Sequence, residues 1–134
     1  MPPPNLDSTF IVLDSHRAAT PIPVTPGMYE ELDSKFDRFT GCLLVAEYSF
    51  SSDWSSWEMH PNGDETLYLI SGEATLHLYS GGVEQQIEFN TPGSYAIIPK
   101  GSWHTAKVKA SCTILFITPG EGTMHGPDPR TQNA

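Results

Sequence analysis

Basic side chains are scarce in this sequence. Seven Lys and Arg stand against sixteen Asp and Glu in 134 residues, a net charge of −9 with His neutral. Nowhere do they cluster. Nucleic acids and anionic membranes are held by Lys/Arg-rich faces, so neither is expected as a partner. Cysteine is scarce too. Cys42 and Cys112 each sit inside an apolar run, Gly41-Cys42-Leu43-Leu44 and Cys112-Thr113-Ile114-Leu115, where a free thiol behaves as a small hydrophobe. Two reduced core residues are expected, not a disulfide framework. No apolar stretch approaches the ~20 residues of a membrane helix. The first five residues are proline-rich and lack the positive and apolar regions of a secretory leader. These absences lead us to expect a cytoplasmic protein.

Proline and glycine, by contrast, are frequent and scattered. They punctuate the chain into many short elements, a pattern that favours an all-β protein. The length suits a single domain over residues 1–134. Thr9 to Leu13 is a short strand candidate, and Pro21, Pro23 and Pro26 keep the following segment from being a helix or a central strand. Residues 1–40 are therefore expected to run largely extended along the surface. Leu32, Phe36 and Phe39 allow one or two helical turns, or a loop packed by its aromatics. From Cys42 onward, strand candidates follow one another at 42–50, 54–60, 66–70, 74–79, 83–89, 94–98, 103–108 and 113–118. Pro61-Asn62-Gly63-Asp64, Ser71-Gly72, Ser80-Gly81-Gly82, Pro92-Gly93 and Pro99-Lys100-Gly101 separate them. Such spacing reads as a sandwich or barrel. The tail, residues 126–134, is expected to be loose or to lie along the surface.

The chemistry is concentrated in Trp57-Glu58-Met59-His60-Pro61-Asn62-Gly63-Asp64-Glu65. Strand alternation puts Glu58 and His60 on one face and Trp57 and Met59 on the other. The turn at 61–64 then brings Glu65 back beside His60. His104 follows a second tight turn. If it faces the same interior, two imidazoles and one or two carboxylates surround one point. Taken singly, a histidine is more often a surface or satisfied core group than a ligand. His16 and His125 are read that way, and His77 as a member of an exposed strand face. Asp64 is expected to cap its turn.

These residues resemble the two motifs of the cupin superfamily. His60, four residues, Glu65, six residues and Gly72 fit the second half of the first motif. Gly93, Pro99, Gly101 and His104 fit the second motif without a gap. The likeness covers a core of about 54–118, and the stretch Trp-Glu-x-His-Pro-x-Gly-Asp-Glu is similar to small single-domain bacterial cupins. The resemblance implies a double-stranded β-helix, or jelly-roll barrel, that binds a divalent transition metal (Mn, Fe, Ni or Zn) through His60, Glu65 and His104. Two positions depart from the pattern. Val108 stands where an asparagine is usual, and Glu58 stands where the first histidine is usual. A carboxylate can ligate such ions in place of imidazole, so Glu58 joins the candidate ligands, its alternative being a hydrogen-bonded or solvent-facing carboxylate. The function implied is that of a metal-binding cupin acting on a small molecule as a dioxygenase, isomerase or related enzyme. The alternative is a non-catalytic ligand-binding or sensor cupin. A homodimer is expected, because the strand 9–13 has no partner in the motifs and its open edge would be covered by a second subunit.

Overall fold

The computed structural model describes residues 2–131. Eleven strands and one helix follow in chain order: β1 Thr9–Leu13, β2 Ala19–Pro23, α1 Met28–Lys35, β3 Leu43–Phe50, β4 Trp57–Met59, β5 Glu65–Gly72, β6 Ala74–Ser80, β7 Val83–Phe89, β8 Tyr95–Ile98, β9 Trp103–Lys107, β10 Cys112–Thr118 and β11 Met124–Gly126. They form two antiparallel sheets, with strand orders β2-β1-β3-β10-β5-β8 and β11-β4-β9-β6-β7. The turn spacing led us to expect a sandwich or barrel, and the arrangement is the jelly roll that the motif resemblance implied. Among the described residues, no helix is long and apolar enough to cross a membrane.

The period-two pattern explains what each sheet buries. Leu67 and Leu69 of β5, Leu76 and Leu78 of β6, and Ile114 and Phe116 of β10 point inward and meet between the sheets. Their neighbours Tyr68, Ile70 and His77 point outward. A second cluster joins Phe10 and Val12 of β1 to Leu44 and Ala46 of β3, and α1 covers it with Met28 and Leu32. The two cysteines are buried and free, one in each cluster. Gly72 ends β5 with φ +77°, and a Cβ there would lie 2.1 Å from the Ser111 carbonyl oxygen. No other residue fits that close approach in that conformation.

Three expectations change. The proline-rich segment is not merely extended along the surface, because Ala19–Pro23 pairs with β1. It does so as the outermost strand of its sheet, where a missing N–H costs no ladder bond. The tail is not loose as far as it is described. Met124–Gly126 pairs with β4, and Arg130 stacks 5.0 Å over the buried ring of Trp57 while holding Asp128 at 2.7 Å. Residues 132–134 lie outside the described residues. Finally, β1 has both edges filled, by β2 and by β3. The open edge that suggested a homodimer does not exist there.

Candidate metal centre

The two turns that carry the candidate ligands are tied together by backbone bonds. Gly101 N–H donates to the His60 carbonyl at 3.0 Å. Lys100 N–H donates to Asp64 Oδ1 at 2.7 Å, so the Asp64 side chain, expected to cap its own turn, instead joins the two turns. His104 on β9 is then directly opposite Glu58 on β4, and Glu65 opens β5 beside them.

The result brings all four residues to one point. One donor atom each from Glu58, His60, Glu65 and His104 lies within 4.8 Å of all the others. His60 Nε2 is 3.4 Å from both Glu58 Oε1 and Glu65 Oε2. His104 Nε2 is 3.3 Å from Glu58 Oε1 and 3.1 Å from Glu65 Oε1. His60, Glu65 and His104 are buried, and Glu58 is partly open.

The outer partners settle which nitrogen faces inward. His60 Nδ1 is 2.8 Å from Thr123 Oγ1, and that hydroxyl donates to the Gly120 carbonyl at 2.9 Å. With its proton committed, the hydroxyl accepts, so His60 carries its proton on Nδ1. His104 Nδ1–H likewise donates to the Ser102 carbonyl at 3.3 Å. Both Nε2 atoms point at the carboxylates, as in ligating histidines anchored from behind. Thr118 Oγ1 donates to Glu65 Oε2 at 2.5 Å. Among the described residues, the buried atoms His60 Nε2 and Glu65 Oε1 approach their neighbours at 3.1 to 3.4 Å without hydrogen-bond geometry, an expensive arrangement unless something occupies the space between them. The donor set, two nitrogens and two carboxylates, fits a divalent transition ion.

Burial disfavours charge on the two imidazoles, but the carboxylates of Glu58 and Glu65 close beside them outweigh it, and both are pushed up to about 9. Burial likewise opposes ionisation of Glu58 and Glu65, but contacts with His104 and His60 hold both well below the usual carboxylate range. Without an ion the quartet is two imidazolium–carboxylate pairs. A divalent ion held there would take the place of the two protons.

Several residues near the site went unnoticed in the sequence. Thr118 and Thr123 lie in the closing segment after β10, and nothing local marks them as partners of Glu65 and His60. His125 is exposed, as expected, yet β11 places it opposite Glu58, with Nε2 3.3 Å from Glu58 Oε2. Glu58, His60 and Glu65 line a cavity of about 880 Å3 whose lining also includes Tyr29 of α1. The Tyr29 and Tyr48 hydroxyls bond to each other there, and burial and this contact push the Tyr29 phenol up.

No protein-family model matches the chain, and no curated protein matches it in sequence. Solved structures match it in fold. Oxalate oxidase in complex with the substrate analogue glycolate superposes with a TM-score of 0.53 at 15% identity, over 61% of this chain and 45% of that one. Peruvianin-I, described as a cysteine peptidase from Thevetia peruviana latex, gives 0.52 at 18% identity, over 61% and 54%. A cupin-2 domain containing protein from Shewanella frigidimarina gives 0.44 at 23% identity, over 57% and 70%. The chain thus covers only about half the length of the first two. What is shared is the cupin fold. Oxalate oxidase and a cysteine peptidase are names for unrelated chemistries at nearly equal TM-scores, so the fold leaves the activity to the site.

Proposed function

We propose that this cupin-fold chain is a metal-dependent enzyme in which Glu58, His60, Glu65 and His104 hold one divalent transition ion, Mn, Fe, Ni or Zn, and offer it to a small organic molecule. The reaction class this supports is that of a dioxygenase, isomerase or related enzyme. One observation carries the reading: four donor atoms within 4.8 Å of one another, three of whose residues, Glu58, His60 and Glu65, line a cavity large enough for a substrate.

Such an ion, when bound, would supply Lewis acidity or activate oxygen. The chain's own residues do the rest. Glu58 and Glu65 match the charge of the ion. Thr123 and Ser102 hold the two imidazoles by their Nδ1–H groups and fix the direction of each Nε2. Thr118 steadies Glu65. Trp54 and Phe116 wall the cavity beside the quartet and keep water from that side.

The test is elemental analysis of protein purified without affinity-resin metals. About one equivalent of transition metal per chain is expected, and His60→Ala and His104→Ala should each lose most of it while remaining folded, because the apolar strands build the core. Metal content that is unchanged in both variants refutes the site. Either variant unfolding where the ion-free wild type is folded refutes the separation of site from scaffold.

We also propose a homodimer, on different ground from the strand 9–13. Tyr68, Ile70, Tyr95 and Ile97 are exposed large apolar residues. They share the outer face of β5 and β8, with Tyr68 directly opposite Tyr95. An apolar patch on an edge strand is a candidate for covering by a second copy.

A further inference from the structure

The lining of the cavity is uneven in a way that constrains its ligand. One wall is aromatic. Trp54 meets Phe50 edge-on with ring centroids 5.6 Å apart, and lies at 34° to Phe116 with centroids 6.1 Å apart. Tyr48 extends the row, 5.8 Å from Phe116. The charged part of the lining is acidic. Asp33 and Asp53 accompany Glu58 and Glu65, and among the described residues no Lys or Arg lines the cavity. Lys107 approaches Asp53 to 3.8 Å from outside the lining, and Asp53 Oδ1 is already taken by Val108 N–H at 2.8 Å. Asp33, exposed on α1, has no such partner among the described residues.

We infer that the ligand is an uncharged or cationic molecule with a flat apolar ring lying against Trp54, and that anionic ligands are discriminated against. The inference rests on the metal-centre reading for where the polar end of the ligand points. Glu58 and Glu65 would offset the charge of a +2 ion, which weakens the attraction of the site for an approaching anion. A carboxylate ligand is best held by a guanidinium or ammonium group, and this lining has neither; apart from the ion it offers His125, whose Nε2 already lies 3.3 Å from Glu58 Oε2. A ring gains offset or edge contacts with Trp54 and Phe116. An ammonium group gains the acidic side chains of the lining, Asp33 among them. The volume of about 880 Å3 is also far more than a two-carbon acid fills.

Three probes sharing one ring separate charge from shape: 2-naphthylmethanol, 2-naphthylmethylamine and 2-naphthoate. Their affinities for zinc-loaded protein are read by titration calorimetry at pH 7, with metal content measured on the same samples. The alcohol and the amine should bind roughly tenfold tighter than the carboxylate. Trp54→Ala should weaken the alcohol by about tenfold. Asp33→Lys, on an exposed helix position, should tighten naphthoate by about tenfold and keeps the test decisive if Trp54→Ala does not fold. Naphthoate binding as tightly as the alcohol, no binding by any probe, or an Asp33→Lys variant without effect overturns the inference. Bound zinc with naphthoate preferred defeats this inference alone. Absent zinc with the alcohol preferred defeats the metal reading alone.

Discussion

Glu58 is the residue on which the character of the site turns. It stands on the same strand face as His60, and β9 sets His104 directly opposite it. One of its oxygens lies 3.3 to 3.4 Å from both Nε2 atoms. Glu58→His would exchange an anionic donor for a neutral one and leave more positive charge on the ion. Preference should then move from Mn towards Ni and Zn. Competitive metal binding at a single pH measures this, and an unchanged Mn-to-Zn ratio would show that Glu58 does not touch the ion. The imidazoles make a second prediction. In the ion-free protein both are raised from 6.5 to about 9. A raised value means the folded state holds protons the unfolded chain releases. This stabilisation is therefore complete below about pH 6.5 and is lost as pH rises through about 9. The depressed carboxylates act oppositely, with stabilisation present above their ordinary 4.5 and lost as pH falls. Metal needs neutral imidazole, so its affinity should rise with pH up to about 9, releasing up to two protons per ion. Calorimetry in buffers of different ionisation enthalpy reads the proton count, and a pH-independent affinity between 6.5 and 9 contradicts the assignment.

At the scale of elements, the site depends on strands that arrive from far apart in the chain. β4 is only three residues long. It is held between β9 and β11, and β11 also brings His125 to Glu58. β5 must reach full length to place Glu65 and then turn sharply at Gly72. Gly72→Ala meets both an unfavourable φ and the Ser111 carbonyl, and should cost more than about 2 kcal/mol. Gly81→Ala is the control, since φ is +57° there but nothing lies within 4 Å of the added carbon. It should cost about 1 kcal/mol. Urea midpoints decide between them, and equal losses would mean that the close approach at Gly72 relaxes freely.

The whole molecule offers two contrasting surfaces. One is the acidic, aromatic-walled cavity on the side of α1. The other is the apolar outer face of β5 and β8. If that face is shared between two copies, light scattering should report a dimer at micromolar concentration. Tyr95→Lys, at a position already 70% exposed, should yield a folded monomer while leaving metal content unchanged. A monomeric wild type would remove the proposal, and so would a Tyr95→Lys variant that remains fully dimeric.

Much of the architecture was determined by the sequence alone, because strands declare themselves locally. A side-chain period of two and a Gly/Pro-rich turn are properties of a few neighbouring residues, and the strands from β3 to β10 lie close to where those signals put them. The helix Met28–Lys35 was one of two readings open for its segment, since a short amphipathic stretch packs as well in a loop. The convergence of His60 and Glu65 was legible for the same local reason as the strands, being one turn apart. Only the tertiary structure decided the rest. Prolines excluded a central strand at 19–23 but could not announce an edge strand, whose sole requirement is a partner with a free side. Polar composition hid the docking of 124–131, which depends on β4 needing a neighbour and on Trp57 needing Arg130. Thr123 behind His60, Thr118 behind Glu65, and a cavity lined from Tyr29 to His125 join residues tens of positions apart. Such contacts form only when both sheets close, so no local period carries them.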